Sequence, residues 1–97
     1  MVMFNPVHPG EILREEVIES LGLTVDESAR RLGVDSQLLS DITNCQTSIS
    51  ADIAWRLELA GLTTAEHWLA MQQNHDLWQL RQRERPAVER LMVDGNS

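Results

Sequence analysis

Besides the carboxylates and hydroxyls, this chain of 97 residues holds three imidazoles and one thiol that could bind a metal ion or act as base and nucleophile: His8, His67, His75 and Cys45. Their spacing suits neither task. His67 and His75 are eight residues apart, roughly 12 Å along a helix, and no histidine has a ligand spacing with the single cysteine. No nucleophile-base pattern occurs either. The sequence therefore predicts no enzyme, no metal and no cofactor. What it offers instead is neutral hydrogen bonding. The stretch DSQLLSDITNCQ, residues 35–46, carries hydroxyls, amides and the carboxylates of Asp35 and Asp41, without one Lys or Arg. The hydroxyls of Thr24, Ser36 and Thr47, together with backbone N–H groups at helix N-termini, can hold phosphate oxygens without a positive charge.

The elements that must position these groups are helices. Only three Pro and five Gly occur, β-branched runs are absent, and Leu, Ala, Glu and Arg dominate, so an all-α fold is expected. With 42% hydrophobic and 24% charged residues, the chain has the composition of one folded domain rather than a disordered tail. No apolar run is long enough to span a membrane, and MVMFNPVHPGE has no secretory-signal pattern, so a cytoplasmic protein is expected. One cysteine excludes an internal disulfide. The net charge of −7 argues against a generic nucleic-acid coat and favours a basic partner. All eight positive residues are Arg, and residues 1–50 hold three of them against eight acids. Pairs at i,i+4 are expected at Asp26–Arg30, Glu27–Arg31 and Asp52–Arg56.

Five helices are predicted. The first begins at HPGE and runs to about Leu21, with Leu13, Val17, Ile18 and Leu21 on its core face and Glu11, Glu15, Glu16 and Glu19 opposite. That carboxylate stripe is either a solvated face or a docking surface for a basic protein. Thr24-Val-Asp-Glu27 reads as a capping box for a helix ending near Leu32 before Gly33. Asp35 or Ser36 caps a third helix reaching Asn44, and Ser50 caps a fourth from Ala51 to Ala60. Thr63-Thr-Ala-Glu66 opens a fifth, expected to run to Arg85 before Pro86. It has apolar residues on two sides, Trp68, Met71, His75 and Trp78 in one direction and Leu69, Leu77 and Leu80 in another, which predicts a homodimer using the first set as its interface.

Across 24–42, the small Ala29, the turn Gly33 and the core positions Leu32, Val34, Leu39 and Ile42 fall at helix-turn-helix spacing; Ser28 departs, standing where a large apolar residue is usual. The blocks HPGEILREE (8–16), LGLTVDESARRLGV (21–34) and EHWLAMQQNHDLWQLRQ (66–82) then make the chain similar to the HigA/VapI-type antitoxins of the Xre (phage-repressor-like) helix-turn-helix family. The resemblance implies a five-helix lambda-repressor-like domain over residues 1–85, with a long C-terminal dimerisation helix at about 64–85 and a short extension at 86–97. It further implies an antitoxin and autorepressor that binds operator DNA in its own promoter and neutralises a basic, RelE-like ribonuclease toxin encoded nearby, for which Glu11, Glu15, Glu16 and Glu19 are the candidate contacts.

In that alignment Ser36, Gln37, Ser40 and Asp41 enter the groove, with Thr24, Asn44, Gln46 and Thr47 beside them. Gln37 can pair with adenine N6/N7 and Asp41 can accept from cytosine N4. Family members commonly carry Asn-Gly-Lys where this chain has Asn44-Cys45-Gln46. Gly takes a left-handed backbone that Cys adopts with strain, and Gln contacts a phosphate without charge, so operator binding should be weaker and less salt-dependent than is usual. Arg56 and the cluster Arg81, Arg83 and Arg85 are either backbone contacts or cations at helix ends. The rival readings are a toxin-binding or orphan interaction protein with weak or lost DNA binding, and a solitary transcriptional regulator.

Overall fold

The computed structural model describes residues 5–92. Residues 93–97, the end of the expected extension, lie outside the described residues. Five helices follow one another, and no strand occurs among the described residues. Helix α1 starts as Pro9–Ile12 and continues in wider π turns over Leu13–Glu19; α2 is Val25–Leu32, α3 Ser36–Thr43, α4 Ala51–Leu59 and α5 Ala65–Arg81. None of these helices is long and apolar enough to cross a membrane.

Side-chain caps set the starts. Thr24 Oγ1 accepts from Glu27 N, Asp35 Oδ2 from Leu38 N, Ser50 Oγ from Ile53 N and Thr64 Oγ1 from His67 N, each satisfying a donor that the first turn leaves free. The cap of α5 is thus Thr64 rather than Thr63. The ends share a second device, in which the residue after the C-cap turns left-handed and the next N–H reaches back five residues. Val34 N donates to Ala29 O around Gly33 (φ 71°), and Gln46 N to Asp41 O around Cys45 (φ 62°).

The core is one cluster, with Leu13 and Ile18 of α1, Ala29 of α2, Leu39 and Ile42 of α3, Ile53, Ala54 and Leu57 of α4 and Trp68 of α5 all buried around Ile49. The π turns in α1 explain one departure from the sequence reading. With i→i+5 bonding, Leu13 and Ile18 share the buried face, and the helix ends at Glu19, so Leu21, expected in the core as its last residue, stands in the following turn 65% exposed. Ser28 proves compatible with the packing, since its buried hydroxyl donates to Thr24 O at 2.8 Å. The i,i+4 pairs form at Glu27–Arg31 and Asp52–Arg56. Arg30, however, turns to Glu27 instead of Asp26. Its guanidinium, then that of Arg31, holds the Glu27 carboxyl at about 2, well below its ordinary 4.5.

Helix α5 also departs, ending at Arg81 rather than Arg85. Its last turn tightens, with Gln82 N donating to Gln79 O and Arg83 N to Leu80 O; residues 82–85 are exposed, and Pro86 disfavours helical backbone at Arg85. Trp68, expected at a dimer interface, is 2% exposed within its own protomer's core and has no surface to offer a mate. Met71, His75 and Trp78 are half-buried. The large apolar side chains left open elsewhere include Trp55 and Leu59, one turn apart on α4 and 57% and 68% exposed.

Candidate nucleic-acid interface

Helix α3 has a buried and an outward face, the outward one including Leu38 at 38% exposure. Leu39, Ile42 and Thr43 are buried; Gln37 is exposed, and Ser36, Ser40 and Asp41 are partly open. The outward side chains are tied to one another. Gln37 Nε2 donates to Asp41 Oδ1 at 2.9 Å, Asn44 Nδ2 to Ser40 Oγ at 3.4 Å and Gln46 Nε2 to Asn44 O at 3.3 Å. The first of these bonds spends one carboxylate oxygen of Asp41 on an internal donor and still leaves Gln37 Oε1 and its second N–H available. Thr24 is exposed at the start of α2, where its oxygen already accepts the cap bond and its O–H can donate outward. Thr47 is half-buried in the loop after α3.

Four residues that the sequence reading left without a role hold this face in place. His8 is the N-cap of α1, its Nδ1 accepting from Gly10 N at 2.9 Å. Gly10 lies so close to the end of α3 that a Cβ on it would stand 1.8 Å from Ile42 O. Arg14 Nη1 donates to Thr43 O at 2.8 Å, closing the C-terminal end of α3. Gln72, buried on α5, accepts from Ile49 N at 2.8 Å and donates to Asp76 Oδ1 at 2.9 Å, with His8 Nε2 at 3.4 Å. A polar residue among the apolar positions of α5 was the available signal for Gln72. Nothing in the periodicity marks Gly10.

The arginines resolve into two kinds. Arg56 Nη1 donates to Leu32 O and Gly33 O at 3.0 and 3.1 Å and its Nε to Asp52, so it clamps the turn between α2 and α3. Arg83 instead lines a cleft together with Cys45, Gln46, Thr47 and Ser48, which brings one cation beside the segment that follows α3. His67 is exposed on α5, and Cys45 is exposed with its thiol pushed up by burial and then by the Glu11 carboxylate. No group of three potential metal ligands exists among the described residues.

Two outcomes follow from this geometry. Cys45 occupies a left-handed position (φ 62°) that costs an L-residue about 1–2 kcal/mol, against about 0.5–1 kcal/mol of extra chain entropy for glycine. Cys45→Gly should therefore stabilise the fold by up to about 1.5 kcal/mol, read as a higher denaturation midpoint. His8 is held below its ordinary 6.5 by burial and then by His75, whose ring is 4.9 Å away; Asp76, Glu11 and a backbone hydrogen bond with Thr47 act in the opposite sense. Because the unfolded chain binds this proton more readily, the His8 contribution is present above pH 6.5 and lost as pH falls through its lower folded value. Thermal unfolding at pH 7.5 and 5.5 should show an acid loss that shrinks in His8→Asn, whose shorter amide can keep the cap.

No family model matches the chain. Antitoxin HigA-1 of Vibrio cholerae is 36% identical over 81% of this chain and 74% of its own length. The solved structure of antitoxin GraA superposes with a TM-score of 0.78 at 40% identity, covering 82% of this chain and 86% of that one. Pseudomonas aeruginosa antitoxin HigA, solved with the higBA promoter, gives 0.71 at 33% identity over 86% of this chain and 99% of that one. Matches of this extent agree with the helix order, the α2–α3 turn and the five-helix core: the chain belongs to the HigA-type antitoxins of the Xre helix-turn-helix family.

Proposed function

We propose that this chain is the antitoxin of a toxin–antitoxin pair, acting in the cytoplasm, where it represses its own promoter by binding an operator and neutralises a RelE-like ribonuclease toxin encoded beside it. The observation that carries the operator reading is the face of α3: Ser36, Gln37, Ser40 and Asp41 point outward from a helix fixed at both ends, by the Asp35 cap and by Arg14 on Thr43 O. Gln37 addresses adenine through its free amide groups, and Asp41, partly satisfied by Gln37, accepts from cytosine N4. Thr24, Ser36, Asn44, Gln46 and Thr47 position the phosphates, and Arg83 adds a cation to the cleft that the loop after α3 lines.

Two weak half-sites need a twofold dimer to bind usefully, with α3 helices about one turn of DNA, roughly 34 Å, apart. We assign the dimer contact to Trp55 and Leu59 as well as to the half-buried His75 and Trp78; Met71, also expected there, lines a groove beside Glu16 instead. A mobility-shift assay with the protein's own promoter, with and without the product of the adjacent reading frame, tests the whole reading. Retardation of that promoter but not of a scrambled one, altered by the adjacent product, is expected. No retardation at micromolar protein would leave the interaction protein without operator binding, the reading that the cation-free α3 favours. Cys45→Gly with Gln46→Lys should tighten operator binding about tenfold and steepen its salt dependence by about two phosphate contacts per dimer, read in the same assay across a salt series.

A further inference from the structure

A groove follows α1, and no residue of α3 lines it. Val17 and Leu62 form its middle, shared by two adjoining hollows. One hollow, of about 120 Å³, is bounded by α1, α2 and the end of α4, with Leu21 at its rim. The other reaches Trp68 and Met71 of α5. The first is close to the size, roughly 150 Å³, at which a dry apolar cavity takes a benzene-sized group. Two further features distinguish the groove from ordinary surface. Leu21, in the turn that follows α1, is 65% exposed beside it. The indole Nε1 of Trp68, a residue that lines it, is buried without an acceptor among the described residues.

Charge decides what can occupy it. Glu16 lines the groove, and Glu15 and Glu19 are exposed on the same helix. The groove's cations are already committed, Arg31, which lines the first hollow, to Glu27 at 2.8 Å and the neighbouring Arg14 to Glu15 at 3.1 Å. A second copy packed here about a twofold axis would set the α1 carboxylates against themselves, and a nucleic acid or anionic lipid surface would meet them with phosphates. A cationic protein meets neither obstacle.

We propose that this groove is the docking surface for a cationic protein partner. The partner inserts one large aliphatic or aromatic side chain beside Val17 and Leu62 while its lysines or arginines meet Glu16 and Glu19. The proposal rests on the antitoxin reading and adds to it the surface used, and with it the consequence that the partner leaves α3 free, so partner and operator bind together.

The test uses the full chain and the purified product of the adjacent reading frame, titrated by calorimetry. Glu16→Lys with Glu19→Lys should weaken binding by about thirtyfold or more, and Leu21→Ser by about five- to tenfold. All three positions are exposed, so circular dichroism melts and retention of the promoter fragment should match those of the unaltered chain. Adding the product to promoter-bound protein should shift the complex further rather than release DNA. If the variants bind the product within twofold of the unaltered chain, the groove is not the docking surface, though the antitoxin reading stands. If the unaltered chain does not bind the product, that reading fails and this surface with it.

Discussion

Gly10→Ala is expected to lower the melting temperature by more than about 10 °C, corresponding to about 3 kcal/mol or more in a domain of this size. Helix propensity alone gives the opposite sign, because alanine inside a helix is favoured over glycine by about 1 kcal/mol. Packing overrules it. The added Cβ would stand 1.8 Å from Ile42 O, and the atom in the way is backbone at the end of α3, which cannot rotate aside. Relief requires α1 to move off α3, which also loosens the Arg14 bond to Thr43 O, and the same Cβ would stand 3.0 Å from His8 Nδ1, the atom that caps α1. Operator affinity should fall with stability, since the moved carbonyl belongs to the helix proposed to read DNA. A variant as stable as the unaltered chain in thermal melts would mean that α1 and α3 do not approach as described.

The second large effect separates two tryptophans. Trp68→Ala removes a fully buried side chain from the centre of the core and should cost about 3–5 kcal/mol, a large part of the roughly 5–15 kcal/mol that holds a domain together. Its denaturation midpoint should collapse whatever the protein concentration. Trp55→Ala touches a side chain 57% exposed on α4. It should leave the protomer's fold intact and weaken the dimer. Denaturant unfolding at two protein concentrations, with sedimentation of each variant, distinguishes the two behaviours. Dissociation of folded protomers by Trp68→Ala would restore the assignment of that residue to the interface.

These two cases also show how far the sequence could be read. Caps and turns were legible because their chemistry is local: Thr24, Asp35, Ser50 and Gly33 act on residues within four or five positions of themselves. The polar face of α3 was legible through the family alignment, which supplied the register. The assignment of Trp68 failed because a helix wheel shows that α5 has two apolar directions but cannot say which one the protomer's own core uses. Leu21 is exposed because α1 ends at Glu19 after its π turns, two residues before the end that a 100° repeat suggests. Long-range backbone contacts, such as Gly10 on Ile42 O and Gln72 on Ile49 N, join residues 32 and 23 positions apart and leave no periodic trace.

Cys45 sharpens the question posed by an acidic reading helix. The fold places it in the left-handed position where the family commonly has glycine, so the backbone path is kept and only the charge of the next residue is lost. Architecture and electrostatic grip are therefore separable here, and the salt dependence of operator binding measures the second directly. In an anisotropy titration of the protein on its own promoter between 50 and 200 mM salt, log K should fall with log salt at a slope of about −2 to −3. That slope reflects one cation such as Arg83 per half-site and little else. A slope of about −6 or steeper, or no preference for the promoter over scrambled DNA, would contradict operator reading by a neutral hydrogen-bonding α3.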